Sequence, residues 1–425
     1  MCQNTVANVN ENAYHSRLLF KPTFIVTDMQ FSFFGSSITL ILCVLLTACN
    51  NGDGNLNAQP GSAALAPPLS PVAVLGQKIF FDPSLSASGL QSCGTCHDPA
   101  SAHAGSDGLA VPLGGPGMDV PGFRNTPTLR YLSFNNPFLF DDEGTPTGGF
   151  NLDGRAVSFM DQARRPFLAP HEMANATPAA VIARLRSASY VSEFMQVFGN
   201  DIFDAGEAAF DRAAFALQQF ERESTAFRPF DSKFDYFLAG EARLSDQELR
   251  GLALFNDPGK GNCAACHSSS RLPDGTPPLF TDFSFDNLGV PRNPDIPANA
   301  DPDHFDLGLC GPDRTDLADR PELCGAFKVP TLRNVALTAP YFHNGKFATL
   351  REVVSFYVRR DTNPEEWYPN AGADKFDDLP PQYRANVNTT EAPYNRRPGD
   401  LPALTSDEID DVVAFLNTLT DGYQP

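Results

Sequence analysis

The feature that most constrains this 425-residue chain is a Cys-x-x-Cys-His motif that occurs twice, at Cys93–His97 and at Cys263–His267. A thioredoxin-like redox site would need a βαβ context, and a zinc site would need Cys and His pairs that converge from two motifs. Cys-x-x-Cys-His is instead the attachment motif of c-type haem, because two thiols bond the porphyrin and the next histidine reaches the iron. The chain is therefore predicted to carry two covalently bound haem c groups, with the motif histidines as proximal iron ligands. The attachment residues are Cys93, Cys96, His97, Cys263, Cys266 and His267.

The sequence around the two motifs is also duplicated. LGQKIFFDPSL precedes the first motif and RGLALFNDPGK precedes the second, each with a glycine, an aromatic region and Asp-Pro. FRNTPTLRYL and FKVPTLRNVAL follow the motifs, and then FNLDGRAVSFMDQA and YFHNGKFATLREVV align at Gly154 and Gly345. Three blocks in the same order indicate a duplicated domain with one haem in each copy. We place the two domains at residues 71–240 and 241–425.

Helical patterns dominate the rest of the chain. Ser245 and Glu248 form a Ser-x-x-Glu capping box at the start of a helix that leads into the second motif. Other helices are predicted within residues 177–199, 208–223 and 405–419, and no strong alternation of apolar and polar residues predicts a strand. With 37 prolines in the chain, the predicted fold is mainly α: two tandem cytochrome c-like domains with long irregular loops.

The first 70 residues are predicted to be an export signal and a tether rather than part of the fold. The apolar run Ile38–Ala48 is shorter than the roughly 20 residues of a membrane span, and it is typical of a signal-peptide core. The stretch LTAC, which ends at Cys49, resembles a bacterial lipobox, so residues 1–48 are predicted to be a signal peptide of the lipoprotein type. Residues 49–70 are typical of a flexible tether. We therefore expect a periplasmic protein that is anchored to the membrane through a lipid on Cys49.

Charge and the remaining cysteines bear on partners and on the cellular compartment. The formal net charge of −20 argues against binding to nucleic acid or to an anionic lipid surface. It suits a cationic protein partner, or it serves solubility alone. Cys310 and Cys324 lie in a loop rich in Pro and Asp, and we expect them to form a disulfide in an oxidising compartment.

The alignment of the two copies predicts different iron environments. Tyr357 lies 12 residues after Gly345, and Pro166 lies 12 residues after Gly154. A tyrosine oxygen can bind haem iron, whereas a proline side chain cannot. Tyr357 would then be a second ligand of the C-terminal haem, with a plain core aromatic residue as the alternative. Unequal sites favour catalysis at an open first haem over simple electron carriage.

These blocks resemble the bacterial di-haem cytochrome c peroxidase family, which includes the MauG-type enzymes. The resemblance extends from about Leu75 to Gly422, and it is carried by FRNTPTL, DGRA, FKVPTLRN and LTAPYFHNG. It implies a haem-dependent peroxidase that activates hydrogen peroxide at the N-terminal haem, with electrons supplied through the C-terminal haem. It also implies a small electron-donor protein, either a cytochrome c or a cupredoxin.

The resemblance assigns three further residues to the peroxide site. Gln162, Pro166 and Glu172 stand 10, 14 and 20 residues after Leu152, which matches the family's spacing between a bridging Trp and its peroxidatic pocket. Glu172 is then the candidate general acid/base that moves a proton between the two peroxide oxygens. Gln162 would orient peroxide or water. Ordinary helix positions are the alternatives for both residues.

A calcium ion between the haem domains is also implied by the resemblance alone. The matching positions are Asn125, Thr338 and Pro340. The last two would bind through backbone carbonyl oxygens, as suits a hard cation.

Two departures from the family pattern leave three functions open. Tyr357 stands where the peroxidases have methionine, as it does in MauG-type enzymes, which use high-valent iron to oxidise Trp or Tyr side chains of a partner protein. Leu152 stands in place of the bridging Trp, and the only tryptophan of the chain is Trp367. The sequence therefore favours a peroxidase, with a MauG-type enzyme as the alternative. A di-haem electron carrier without peroxide chemistry is the third, and Pro166 and Glu172 argue against it.

Overall fold

The computed structural model describes residues 67–369 and 375–425. The predicted signal peptide, Cys49 and the tether up to residue 66 lie outside these ranges. Within the two ranges, no helix is long and apolar enough to cross a membrane.

Helices dominate the regular structure of the described chain, as predicted. Its α-helices are α1 (Pro71–Phe80), α2 (Cys93–Cys96), α3 (Phe159–Leu168), α4 (Pro178–Leu185), α5 (Val191–Phe198), α6 (Ala208–Glu223), α7 (Lys233–Leu238), α8 (Asp246–Asn256), α9 (Leu350–Arg359) and α10 (Ser406–Asn417). Short antiparallel pairs accompany them: β1 (Leu113–Gly114) with β2 (Val120–Pro121), β3 (Leu139–Phe140) with β4 (Pro146–Thr147), and β5 (Phe285–Asp286) with β6 (Phe327–Lys328). Long irregular segments with short 3-10 turns connect these elements.

Two close helix crossings organise the packing. Helix α1 packs against α6, and α8 packs against α10. A Cβ atom at Gly76 would lie 1.9 Å from the backbone oxygen of Ala216, and one at Gly251 would lie 2.0 Å from that of Asp411. Each crossing therefore depends on the glycine that opens the duplicated block before a haem motif.

Two of the hydrophobic clusters follow the order of the chain. The buried members of the first run from Leu75 to Phe227 and surround the crossing of α1 and α6. Those of the second run from Phe234 to Leu419 and surround the crossing of α8 and α10. The division of the chain into two haem domains near residue 240 nevertheless stays a prediction.

The local expectations are met in most places and missed in one. Ser245 and Glu248 form the predicted capping box, and Cys310 is bonded to Cys324. The predicted helical stretch at residues 177–199 is instead two helices, α4 and α5, because a turn at residues 186–190 separates them. Its apolar spacing continues through the turn, so the break leaves no clear sign in the periodicity.

The duplication extends into the loops that precede α3 and α9. Gly154 and Gly345 both have positive φ, at 66° and 60°, which is a conformation that glycine adopts without strain. An isolated bridge closes each loop, between Phe150 and Ala156 in the first copy and between the corresponding residues Tyr341 and Phe347 in the second. The two loops therefore have the same backbone conformation where they lead into α3 and α9.

Candidate haem sites

Each motif histidine is oriented by a backbone carbonyl. His97 Nδ1 lies 3.0 Å from the carbonyl oxygen of His103, and His267 Nδ1 lies 2.9 Å from that of Phe280. Such a bond places the ring proton on Nδ1 and leaves Nε2 free for a metal. Burial lowers the pKa of His97 to about 4 and also lowers the pKa of His267. Both rings are therefore neutral near pH 7, as iron ligands must be.

The four motif cysteines are free thiols rather than disulfides. Burial raises the pKa to about 11 at Cys96 and to about 12 at Cys263 and Cys266, and it raises the pKa of Cys93 as well. Thiols that react as nucleophiles have a lowered pKa instead. The raised pKa of the four cysteines therefore argues against thiol–disulfide exchange at these motifs.

A cavity of about 260 Å³ surrounds the second motif. Cys263, Cys266 and His267 line it, and Tyr357 reaches it from α9. Its volume is close to the lower end of ligand cavities, which is about 300 Å³. Two thiols, a neutral imidazole and a phenol on one cavity fit a covalently attached haem with two axial ligands.

Tyr357 is held deep in this cavity. Burial raises its pKa well above the ordinary value, and the negative charge of Asp286 raises it further. The ring of Phe342 stacks on it at 5.8 Å, and the ring of Tyr394 lies 6.0 Å away. A phenol in this setting is protonated, and binding to a metal would release its proton.

Three side chains predicted for the peroxide site lie on α3 and the turn after it. Gln162 and Pro166 are four residues apart on α3, so they share one helix face. Pro166 is the eighth residue of α3, as Tyr357 is of α9, which agrees with the alignment of the two copies. The turn returns to α3 where Met173 N donates to the carbonyl oxygen of Pro166 at 3.1 Å.

Glu172 comes close to the first haem motif. Its negative charge contributes, after burial, to the raised pKa of both Cys93 and Cys96. Burial raises the pKa of Glu172 itself, against the positive charges of His171 and Arg155. Although protein surrounds the carboxyl group, 36% of the side chain stays accessible. It is therefore a carboxyl group of raised pKa that small molecules can reach, beside the first attachment site.

The residues predicted for calcium are brought together as well. Asn125, Thr338 and Pro340 all line the cavity around the second motif. No group of three or more His, Cys, Asp or Glu side chains in the described ranges could hold a metal ion. Calcium accepts amide and carbonyl oxygens, which are the ligand types that the prediction assigns to these three residues.

Leu152 and Trp367 lie in different surroundings. Leu152 lines the cavity around the second motif, and its carbonyl oxygen accepts a hydrogen bond from Lys328 N at 2.8 Å. Trp367 packs edge-on against Phe347 and Phe356, at 5.7 and 5.6 Å. Trp367 does not line this cavity. Its indole ring therefore does not take the place of the tryptophan that the family has at the position of Leu152.

Glu221 and Lys328 are among the buried charged residues that the sequence analysis did not predict. Glu221 on α6 lies beside Cys93, and burial raises its pKa to about 8. It occupies the apolar face of α6, and an acidic residue on that face was a detectable signal. Lys328 is buried at the cavity wall, and a two-residue strand carries no pattern that would show this.

Comparisons with known proteins agree with this geometry. The profile of a family described as di-haem cytochrome c peroxidase matches residues 70–243. The chain is 38% identical over 394 residues to the methylamine utilization protein MauG of Paracoccus denitrificans, across 90% of this chain and 95% of that protein. The chain belongs to the di-haem cytochrome c peroxidase and MauG family. Members of this family are haem oxidoreductases, and two haem c groups are implied here.

Both branches of the family are among the similar proteins. A cytochrome c551 peroxidase of Nitrosomonas europaea is 32% identical over 365 residues, across 85% of this chain and 83% of its own. The crystal structure of the diheme peroxidase BthA from Burkholderia thailandensis matches with a TM-score of 0.77 and 41% identity, across 85% of this chain and 88% of that one. These matches establish a di-haem peroxidase fold, and they leave the choice between the two branches to the site itself.

Proposed function

We propose that this protein is a di-haem c-type peroxidase that reduces hydrogen peroxide at the haem of His97, with electrons delivered through the haem of His267. The observation that carries this proposal is Glu172, an accessible carboxyl group of raised pKa beside Cys93 and Cys96. A pure electron carrier would have no use for such a group. When bound, the haem supplies the iron that takes the peroxide and exchanges electrons.

Glu172 would act as the general acid and base. One peroxide oxygen must lose a proton and the other must gain one before the O–O bond breaks. A carboxyl group whose pKa is moved toward neutral pH serves both steps better than an ordinary one. Gln162, one turn before Pro166, would orient the peroxide, and Pro166 would offer no side-chain atom that competes with peroxide as an iron ligand.

Further parts of the proposal are a calcium ion and an electron donor. Asn125 with the carbonyl oxygens of Thr338 and Pro340 would hold the calcium ion. A small cytochrome c or cupredoxin would supply the electrons, and the strong negative charge of the chain suits a donor with a cationic surface. We further propose a periplasmic location with a lipid anchor on Cys49.

The peroxide reaction of the di-ferric holoprotein tests the role of Glu172. Glu172→Gln keeps the shape of the side chain but cannot accept a proton, so we expect the reaction with one equivalent of peroxide to slow by about 10²–10⁴-fold. Stopped-flow absorbance measures the rate, and the static spectrum reports that both haems remain attached. Glu143→Gln, an exposed loop residue, is the matched control. An unchanged rate for Glu172→Gln would remove this residue from the mechanism.

A second candidate, a MauG-type oxidase of protein side chains, is supported by Tyr357. Tyr357 lines the cavity with His267, and an anionic oxygen donor would stabilise ferric iron and lower the reduction potential. A low-potential site is poorly suited to accept electrons from a donor cytochrome and better suited to be oxidised. One of the similar solved structures is a variant of the diheme peroxidase BthA in which a tyrosine is replaced by methionine.

Redox titration of Tyr357→Met separates the two candidates. If Tyr357 is an iron ligand, a thioether in its place should raise the potential of the C-terminal haem. Tyr357→Phe is the matched control, because it keeps the ring and loses only the oxygen. Equal potentials in all three proteins would make Tyr357 a core aromatic residue and would leave the MauG-type candidate without its main support.

A further inference from the structure

A second cavity, of about 70 Å³, adjoins the one around the second motif. Pro127, Leu152 and Lys328 line both cavities. Leu152 is the residue that stands where the family has its bridging Trp. The second cavity therefore lies beside the position at which a large ring would otherwise connect the two halves of the molecule.

This second cavity also lies between the two motif histidines. A backbone group of Pro127 acts on the pKa of His97, and one of Pro330 acts on the pKa of His267. Both prolines line the second cavity. It thus adjoins the supports of both predicted iron ligands at once.

Several polar side chains that line this cavity have donor or acceptor atoms without a hydrogen-bond partner among the described residues. Among the described residues, the Nε of Arg130 and the side-chain oxygens of Asn135 and Asn151 are buried without a hydrogen-bond partner, and all three residues line the cavity. The ammonium group of Lys328 has three donors. Within the described ranges it makes one hydrogen bond, to the carbonyl oxygen of Gly149 at 2.7 Å. Unsatisfied buried groups of this kind are costly, so a partner is expected.

The cavity is lined by both unsatisfied donors and unsatisfied acceptors, and this combination indicates which kind of ligand would bind there. Arg130 and Lys328 have donors to spare, whereas the oxygens of Asn135 and Asn151 need donors. The orientation of Asn135 is settled because its Nδ2 donates to the carbonyl oxygen of Gly149. An anion would satisfy only the donors and a metal ion only the oxygens, whereas water satisfies both. A water molecule needs about 10–15 Å³ of such a volume, so there is room for several.

Lys328 is the group here that can change its charge. Burial lowers its pKa to about 7, and within the described part of the chain the negative charge of Asp153 opposes this change. Asp153 is itself held by Arg124 at 2.6 Å and by Arg155 at 2.8 Å. Asp286 lies on the strand that pairs with the strand of Lys328, but it is not among the charges that shift the pKa of Lys328. Near neutral pH the amine is therefore close to an even balance between its two forms.

We propose that this cavity holds an ordered cluster of water molecules, bonded to Lys328, Arg130 and the two asparagines, and that Lys328 takes up a proton through it when the neighbouring haem site is reduced. One electron from the donor enters the site, and one proton from the solvent converts the neutral amine to ammonium. The added negative charge at the iron favours this uptake. The proton uptake rests on the proposed function, since it needs a haem at His267, whereas the water cluster does not.

A crystal structure of the holoprotein at high resolution tests the water cluster. We expect ordered waters within hydrogen-bonding distance of Lys328, Arg130 and at least one of the asparagines. In Leu152→Trp the indole ring should displace them. An empty cavity in the wild-type protein would overturn the proposal, and so would a haem propionate bonded to Lys328 in their place.

Spectroelectrochemical titration between pH 6 and 9 tests the proton uptake. Above the pKa of the oxidised form, the equilibrium constant for reduction of the C-terminal haem should fall up to tenfold per pH unit. Lys328→Met should abolish this dependence. Lys78→Met, at a partly exposed lysine of α1 that is paired with Glu193 and does not line the cavity, should keep it. In Leu152→Trp, where Lys328 is intact, the dependence should move to lower pH because the amine has lost its water.

The outcomes separate this proposal from the proposed function. A dependence that survives in Lys328→Met belongs to another group and overturns the assignment to Lys328. A wild-type protein without any dependence in this range overturns the proton uptake. If Glu172→Gln leaves the peroxide rate unchanged while Lys328→Met abolishes the pH dependence, the peroxidase proposal fails and this one stands.

Discussion

In the N-terminal half α1 crosses α6, and in the C-terminal half α8 crosses α10, with the same packing in each. Phe80 meets Phe220 at 5.6 Å between ring centroids, and the corresponding Phe255 meets Phe415 at 5.2 Å. Both pairs pack edge to face. The two crossings are thus close copies, down to the aromatic pair next to the glycine.

The side chains that point toward the haem sites differ between these copies. Glu221 follows Phe220 on α6, whereas the apolar Leu416 follows Phe415 on α10. Pro166 on α3 likewise corresponds to Tyr357 on α9. The same helices therefore carry chemically different side chains at a few corresponding positions, and our proposal of unequal haem sites rests on these positions.

The largest effect on stability should come from exchanging one such position. The folded protein holds Glu221 with a pKa raised to about 8 by burial, from an ordinary value of 4.5. Between these values the unfolded chain ionises first, so stability falls as pH rises, by on the order of 1.4 kcal/mol per pH unit. Glu221→Leu copies the C-terminal half and should remove this loss, which makes the variant relatively more stable at pH 8 than at pH 5.

Urea unfolding of the holoprotein at pH 5, 6.5 and 8 measures this difference. Glu241→Leu, at an exposed position, is the control and should keep the wild-type pH dependence. If Glu221→Leu also keeps it, Glu221 is not protonated in the fold, and the two halves differ less than the structure indicates.

How much of this could be predicted from the sequence depends on the range of the interactions involved. The sequence predicts the haem motifs and the capping box at Ser245 because each depends on residues that are close together in the chain. It also predicts the equivalence of Gly154 and Gly345, because each glycine lies in a short block that the other half repeats. The break between α4 and α5 was missed because the apolar spacing continues through the turn at residues 186–190. The cavity beside Leu152 was missed as well, because it brings together segments from residues 127 to 331.

The glycine crossings should produce the next largest effect. Gly76→Ala and Gly251→Ala each place a methyl group about 2 Å from a backbone oxygen, so the helices must move apart. Overpacking of this kind typically costs about 1–3 kcal/mol, partly offset by the better helix propensity of alanine. Because the crossings are close copies, we expect similar losses in unfolding free energy for both variants.

Gly259→Ala is the control for this pair. The nearest atom to its added Cβ would be a side-chain oxygen of Asp257 at 3.3 Å, which can move aside. A loss at Gly76 alone would show that the C-terminal crossing is more adaptable than the N-terminal one. If Gly76→Ala and Gly251→Ala both lose no more unfolding free energy than Gly259→Ala, close approach of the helices is not important for stability.

The smallest effect concerns how α1 and α8 begin. In α8, Ser245 Oγ accepts from Glu248 N at 3.2 Å, and the Glu248 carboxylate accepts from Ser245 N within the same turn. In α1, Ser70 Oγ accepts from Ala73 N, but the returning carboxylate is Glu223 at the end of α6. The N-terminal half thus replaces a local capping box with a contact across 153 residues.

A pair of double-mutant cycles distinguishes the local cap from the remote one. Ser70→Ala and Ser245→Ala should each cost about 1 kcal/mol of unfolding free energy. Ser70→Ala combined with Glu223→Ala should be non-additive by at least about 0.5 kcal/mol, since both remove the bond of 2.9 Å between Ser70 Oγ and Glu223. Ser70→Ala combined with Glu248→Ala should be additive, because these residues belong to different caps. Additivity in the first cycle would mean that the bond between Ser70 Oγ and Glu223 does not form in solution, and that Glu223 reaches α1 at most through the backbone N of residue 70.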